Sequence, residues 1–470
     1  MRGALLTFGF LFFTLISLAQ FGPQQIISEN ASGPIRAIPV DFNGDGFIDI
    51  VAGIAGENRI SWFQNLDGLG SFGEEQTLIE SVAAIQSLDL VDINSDGKLD
   101  ILYKTNLDII AWRENIDGQG SFGSENIIAN TDYPYYINFS DLDNDGDIDV
   151  IANLYHNSFN NRLVFYENID GLGTFSNENI IDIESFYYSP FVSFDLDNDG
   201  DDDIITSYET FGPSIIIWYE NIDGQGTFSE LQVIHEFLGI ASDWTTVYDM
   251  AYSDIDNDGK IDLLVSTFHD DLDDYLLWLK NQGGQGNFED PQYIHTNETS
   301  LGSLRTYDID GDNDQDILVS FFFSEASNIS WFENTNGLGD FSPQRIISTE
   351  VVRARDATAA DFNNDGKLDV ASASSHDNKI AWYENTGVLG TEESNRNLAQ
   401  VYPNPLKNRL HIPNHKEVSQ ITLFSFSGAV IATFKEVEES IDFNKYASGF
   451  YLIQITYNNG STNIAKLIKE

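Results

Sequence analysis

Short runs in which apolar and polar residues alternate fill most of the chain, each closed by Asp, Asn or Gly. Alternation with period 2 between turn residues predicts β-strands. In the first unit a strand over Arg36–Phe42 enters an acidic loop. A second, Phe47–Ile54, leaves it with Ile48, Ile50 and Ala52 on one face. A third, Ile60–Asn65, contains Trp62-Phe63-Gln64-Asn65. The Gly-rich loop Asp67-Gly68-Leu69-Gly70-Ser71-Phe72 then leads to a fourth strand, Gln76–Ile79.

The unit recurs. Acidic loops start at Asp41, Asp92, Asp141, Asp195, Asp254, Asp308 and Asp361, at steps of 51, 49, 54, 59, 54 and 53 residues. Four strands per unit at that period predict propeller blades. The expected fold is all-β: a seven-bladed β-propeller over residues 20–390, a polar linker over 391–400 and a small β-sandwich domain over 401–470. The last unit has Trp382-Tyr383-Glu384-Asn385 but no fourth strand, whereas Phe21–Ser28 matches the fourth-strand segment Phe341–Ser348. The start of the chain should therefore complete blade seven and leave no open edge at the seam. Trp62, Trp112, Trp218, Trp278, Trp331 and Trp382 share one repeat position, which Phe165 fills in blade three. That recurrence predicts packing between blades.

Each acidic loop places oxygen ligands at positions 1, 3, 5 and 9, with a turn residue at 6. The sets are Asp41, Asn43, Asp45 and Asp49; Asp92, Asn94, Asp96 and Asp100; Asp141, Asp143, Asp145 and Asp149; and Asp195, Asp197, Asp199 and Asp203. The remaining three are Asp254, Asp256, Asp258 and Asp262; Asp308, Asp310, Asp312 and Asp316; and Asp361, Asn363, Asp365 and Asp369. Convergent, charge-dense oxygen ligation suits a hard cation, Ca²⁺ over Mg²⁺, with up to seven structural ions. Position 7 would add a backbone carbonyl, and Asp262 could bind through both oxygens. An EF-hand is excluded, because the flanks read as strands and position 12 is Ala52 or Val265 rather than Glu. Asn at position 3 should weaken sites one, two and seven, and Asn313 in place of Gly sets site six apart.

Composition narrows the setting. The chain has 23 basic and 75 acidic residues, a formal charge of −52. Nucleic acid and anionic membrane surfaces are excluded as partners on that balance. Cysteine is absent, so neither a disulfide framework nor a thiol nucleophile exists. Residues 1–19 read as a secretory signal peptide: one Arg, an apolar run, then Ser17-Leu18-Ala19. The run is too short for a comfortable membrane span, and no later segment would span one.

Up-and-down strand order puts the acidic and Gly-rich loops on one face of the propeller. The blade-to-blade connectors and the second-to-third turns fall on the other, less repetitive face, where a specific site is expected. That face should gather Tyr133, Tyr135 and Tyr136, then Phe186, Tyr187 and Tyr188, then Trp244, with Arg36, Arg305, Arg353 and Arg355 nearby. Aromatics with Arg suit sugar rings or acidic polysaccharide, and packing in the channel is the competing reading. His156, His269 and His376 fall in second-to-third turns of three blades and read as turn residues. No nucleophile–base or phosphate-loop pattern is present.

The seven Asp-x-Asp/Asn-x-Asp-Gly-x-x-Asp loops between strands resemble FG-GAP or VCBS-type repeats, the family of the integrin alpha-chain propeller. The resemblance implies Ca²⁺ at positions 1, 3, 5 and 9. The Phe-Gly and Gly-Ala-Pro signatures are only partly kept, so integrin-like ligand recognition is not implied. Beyond the linker, Val401-Tyr402-Pro403-Asn404-Pro405 precedes predicted strands Gln420–Phe426, Ala429–Lys435, Gly449–Tyr457 and Ile464–Lys469. Turns are expected at Ser427-Gly428 and Asn459-Gly460. With Ala447-Ser448-Gly449-Phe450-Tyr451 and Lys466-Leu467-Ile468-Lys469, this segment resembles the type A sorting domain of the type IX secretion system. The resemblance implies recognition by that secretion machinery and release or surface attachment outside the cell. The function expected is a secreted or cell-surface binding or adhesion module for polysaccharide or a protein partner. The alternative is a lyase-type polysaccharide-degrading enzyme on the same scaffold.

Overall fold

The computed structural model describes residues 20–387 and 406–469, apart from short stretches at 81, 83–84, 132, 156–160, 186–189, 209–213, 238–244, 270–273, 284–285, 298–300, 323–326, 413–414, 426–429, 436, 438–439, 447–448 and 458–461. Tyr187, Tyr188 and Trp244 therefore lie outside the described residues, as do the leader, the linker, His156 and the turns at 427–428 and 459–460. The chain divides at residues 388/389 into two compact units.

Residues 20–387 form seven four-stranded antiparallel sheets, six of them paired in chain order from an inner to an outer strand. The inner strands are Pro34–Val40, Ile85–Val91, Pro134–Ser140, Phe191–Phe194, Thr245–Ser253, Leu301–Tyr307 and Ala354–Ala360. Blade seven takes its outer strand from Gln25–Ser28, whose Gln25 and Ile26 pair with Trp382 and Ala381. Gly22 N–H donates to the Glu384 carbonyl at 2.8 Å, and Thr386 N–H to that of Gln20 at 2.8 Å. The ring thus closes by pairing both ends of the unit in one sheet.

The core lies in wedges between successive blades. Between blades four and five, Leu196, Ile205 and Trp218 meet Val247, Leu263 and Leu277. Both faces of a blade are covered, so the second strands are buried along their length. Asp49–Ile54 is buried at all six positions. The one-sided alternation expected of Ile48, Ile50 and Ala52 is corrected on that ground: Val51 is as buried as its neighbours because another blade packs on each side.

The recurring aromatic position fills these wedges. Trp382, Trp112, Phe165, Trp218 and Trp278 each lie against the second glycine of the next blade's Gly-rich loop. A Cβ on Gly339 would come within 2.1 Å of Trp278, and one on Gly173 within 2.1 Å of Trp112. Both glycines hold positive φ, +82° and +87°. The Gly-x-Gly spacing therefore serves ring packing as well as the turn.

In the second unit, Val418–Ser425, Val430–Phe434, Gly449–Tyr457 and Thr462–Lys469 form one sheet, and Arg409–His411 pairs with Ser440–Asp442 in another. Leu410, Ile421, Ile441, Phe443 and Ile453 share one core between them, giving a small β-sandwich. The two short strands of the second sheet carry no period signal of their own and were not anticipated. Among the described residues no helix is long and apolar enough to cross a membrane.

Trp278 is 2 % exposed. Trp278→Ala should cost about 3–5 kcal/mol of folding free energy, read as a lowered midpoint in denaturant.

Candidate functional site

The acidic loops are shaped first by their own hydrogen bonds. In every loop but the sixth the position-1 carboxylate accepts from the backbone N–H groups of positions 5 and 6: Asp141 from Asp145 (3.2 Å) and Gly146 (3.0 Å), Asp254 from Asp258 (3.0 Å) and Gly259 (2.9 Å). In the sixth, Asp308 accepts from Gly311 (2.8 Å) and Asn313 (3.0 Å). Positions 4 and 6 both hold positive φ, as at Asn257 (+57°) and Gly259 (+85°). Loop six exchanges the two residues, with Gly311 at +80° and Asn313 at +73°. The left-handed requirement at position 4 explains Asn, Ser or Gly there, a signal that was present in every copy and went unread.

The position-9 Asp is fully buried in all seven blades. In blades two to seven both of its oxygens are engaged by backbone, whereas in blade one Asp49 Oδ1 accepts from Asn65 N–H at 2.7 Å and Oδ2 has no partner. Asp262 accepts from Asn281 N–H at 2.7 Å and from Ile255 N–H at 3.3 Å; Asp149 accepts from Asn168 (2.8 Å) and Leu142 (3.1 Å). Burial pushes Asp49, Asp100 and Asp262 up to about 6, and Asp149, Asp203, Asp316 and Asp369 up to about 7.

The Asn beside that Asp, last of the Trp-aromatic-x-Asn run, is the residue whose role the sequence did not disclose. Asn334 donates Nδ2–H to the Ile255 carbonyl of the preceding blade at 2.8 Å and accepts from Gly339 N–H at 3.1 Å. Asn168, Asn221 and Asn385 reach the Ile93, Leu142 and Ile309 carbonyls of their preceding blades at 2.8–2.9 Å. One side chain thus ties a Gly-rich loop to the acidic loop of the neighbour.

Position 3 separates the loops into two kinds. The Oδ1 atoms of Asp143, Asp197, Asp256 and Asp310 are buried without a hydrogen-bond partner. Ligand-capable oxygens of Asp141, Asp143 and Asp145 lie within 4.8 Å of one another, as do those of Asp195, Asp197 and Asp199, of Asp254, Asp256 and Asp258, and of Asp308, Asp310 and Asp316. In the other three loops the amide is satisfied internally: Asn43, Asn94 and Asn363 accept from Asp45, Asp96 and Asp365 N–H at 2.8, 3.2 and 3.0 Å. An unpaired buried carboxylate oxygen is costly, so the four all-Asp loops fit a bound cation by an observation independent of their motif. Loop five also holds cations of its own. The Lys280 ammonium sits on Asp256, and Lys260 reaches Asp258 at 2.9 Å.

On the opposite face the inner strands of all seven blades surround a cavity of about 570 Å³. Tyr136, Arg36, Arg305 and Arg355 line it. Arg36 pairs with Asp89, and Arg305 Nη2 lies 2.8 Å from Asp356, so these two guanidiniums are occupied in joining neighbouring blades. Tyr133 and Tyr135 have ring centroids 6.1 Å apart, and Tyr135 and Tyr136 5.2 Å: the expected connector cluster forms, with Tyr136 packed on a blade core. His376 is exposed in its turn.

A closed ring of seven sheets with an acidic loop between the first and second strands of each defines the class. Residues 41–103, 141–206, 195–265, 254–319 and 320–372 match the FG-GAP-like repeat, over more than half of the chain, and the chain belongs to that family. Residues 400–470 match the secretion system C-terminal sorting domain, which marks the protein for type IX export to the cell surface or extracellular space. No curated protein sequence matches. The fold is similar to BBS1N from its complex with ARL6DN, at 8 % identity and TM-score 0.49, over 78 % of this chain and 96 % of that one. It is also similar to a mutant of AofleA from Arthrobotrys oligospora (10 %, TM-score 0.41, 64 % and 84 %) and to an alpha-L-arabinanase of Penicillium chrysogenum (12 %, TM-score 0.42, 64 % and 92 %).

Two outcomes follow from this geometry. Asn334→Ala strands a buried carbonyl and N–H, each worth about 1–3 kcal/mol, and should lower the melting temperature measurably. The position-9 carboxylates titrate higher folded than the unfolded value of 3.8. The folded, metal-free protein therefore binds more protons between about pH 4 and 7, and stability falls as pH rises through that window. In chelator, the melting temperature should climb on acidification from pH 8 to pH 5; a fall would contradict the assignment.

Proposed function

We propose that this protein is an extracellular, calcium-stabilised binding module, whose repeated face holds structural ions and whose opposite face carries the ligand surface. The observation that carries the metal half is the unpartnered Oδ1 on Asp143, Asp197, Asp256 and Asp310. Each oxygen stands among convergent carboxylates on a loop whose backbone is already fixed. Ca²⁺ would supply charge neutralisation there and no reaction step. Positions 1, 3 and 5 would hold it, with position 9 contributing the lone pairs its backbone bonds leave free.

The loops differ in what they offer. In loops three and four a Glu precedes the clamping Asn, and its charge adds to that of neighbouring Asp residues in raising Asp143 and Asp197 after burial itself. In loop five the same position is Lys280, which competes with an added cation. One of the four all-Asp copies is thus already partly neutralised.

The binding half is supported by the cavity on the variable face and by its aromatic and cationic walls. A lyase would require a Tyr or His base that ionises within reach of neutral pH. Burial instead holds Tyr248 and Tyr307 above their ordinary range, and no His lines the cavity among the described residues. These observations favour binding over catalysis.

Calcium added to chelated protein should raise the melting temperature, each site contributing about 2.7 kcal/mol at 100 times its Kd; an unchanged melt defeats the metal reading. Lys280→Gln should tighten calcium binding by one site in calorimetric titration, leaving the other sites unchanged. For the binding half, residues 20–390 retained on one class in a polysaccharide panel with calcium, and lost in EDTA, is the result expected. No retention from folded protein would redirect the reading to a protein partner.

A further inference from the structure

The repeats supply their own internal comparison for the cavity. Its carboxylates are all engaged. Asp89 holds Arg36; Asp356 holds Arg305 and accepts from Ala37 N–H at 3.2 Å; Asp249 accepts from Leu304 N–H at 2.9 Å. Two cations that line the same cavity, Lys104 and Arg355, have no such partner, and neither does Arg353 two residues before Arg355. Lys104, at the end of the second strand of blade two, is only 4 % exposed. It reaches a single neutral acceptor, Gln86 Oε1, at 3.3 Å, and burial pushes its pKa down to about 8. The residues at its position in the other blades are Gly53, Asn153, Ser207, Ser266, Ser320 and Ala373, all small or uncharged.

Arg355 and Arg353 form the rest of the group. Their guanidiniums lie 4.8 and 5.8 Å from the centroid of the same Phe322 ring, and neither has an ion pair among the described residues. Two like charges lie against one aromatic ring. In a chain with 75 acids to 23 bases, a carboxylate nearby would be the ordinary outcome. A packing role accounts for none of this: a solvated Arg needs no ring shared with another Arg, and a buried Lys without an anion costs stability.

We propose that this mouth of the channel binds an acidic sugar unit, a uronate or sulfate ester of a polysaccharide. Lys104 and Arg355 take its anionic oxygens, and Tyr248 and Phe322 flank its ring. The cavity volume falls in the range of about 300–1,000 Å³ usual for such ligands. Arg offers a planar fork to the anion and Lys a point charge. The site also fits the overall charge. An anionic ligand is repelled by most of this surface, so it can settle only where cations are left over. The inference rests on the binding reading above and names the ligand class and its contacts.

The test is calorimetric titration of the calcium-loaded protein with four probes: oligogalacturonate, a sulfated oligosaccharide and a neutral one of equal length, and inorganic sulfate. Oligogalacturonate or a sulfated counterpart should bind at least tenfold more tightly than the neutral sugar and than sulfate alone. Arg355→Ala and Lys104→Met should each weaken that binding tenfold or more. Lys104→Met should melt at the same or a higher temperature, since it removes a buried charge. That pairing, lost binding with unharmed stability, is what a structural lysine would not give. Binding of the neutral sugar without preference, or acidic binding indifferent to both variants, overturns this inference and leaves the binding module standing. Sulfate binding as tightly as the oligosaccharide removes the sugar and also overturns it. No binding of any glycan by folded, calcium-loaded protein overturns this inference and redirects the binding module to a protein partner.

Discussion

Everything on the repeated face depends on one buried pairing, the position-9 Asp with the Asn that ends the third strand. In six of the seven blades the Asp spends both oxygens on backbone: one on the N–H of that Asn, one on the N–H that follows the first loop residue, as in Asp316 with Asn334 (2.8 Å) and Ile309 (2.9 Å). The Asn then reaches across to the neighbouring blade. Such a carboxylate cannot be replaced by an amide without facing a donor toward a donor. The same set of bonds therefore holds the strands, the acidic loop and the Gly-rich loop together in most of the copies.

That pairing also sets the electrostatic problem that the loop must solve. It buries a carboxylate at the root of a loop that presents two or three more. Burial raises the position-9 groups toward neutrality, and their neighbours raise them further. A loop in this condition has three routes to relief: protons, an internal cation or a bound one. The structure shows the second in loop five through Lys280, while Asn43, Asn94 and Asn363 lower the charge at its source. Loops three and four have neither, and their position-3 oxygens remain unpartnered.

How much of this could be read from the sequence differs by kind of constraint. Blade number, strand order and ring closure were legible because each is written several times, and the match of Phe21–Ser28 to Phe341–Ser348 needed only comparison. The acidic ligand positions were legible for the same reason. The Asn clamp was visible as a letter but not as a function, because its partners lie about 76–79 residues away in the previous blade and no local period reveals them. The burial of Asp49–Ile54 on both faces was misread from alternation, since what covers the second face is another blade. Arg36 and Arg305 looked like ligand contacts on composition alone. Their carboxylates come from neighbouring inner strands, and only the closed ring brings them together.

The same logic separates the two faces by function. Where the clamp recurs, substitution is constrained by folding in every blade at once, and variation carries a structural cost. At the far ends of the strands no such pairing exists, and blades are free to differ. Lys104 is informative there because six counterparts show what the fold itself asks for at that place, which is a small or uncharged side chain. A buried charge that the architecture does not require, on a cavity also lined by Arg355, which no carboxylate meets among the described residues, is a departure the fold tolerates rather than needs. In a repeat protein such a departure locates function more sharply than any conserved copy of the repeat could.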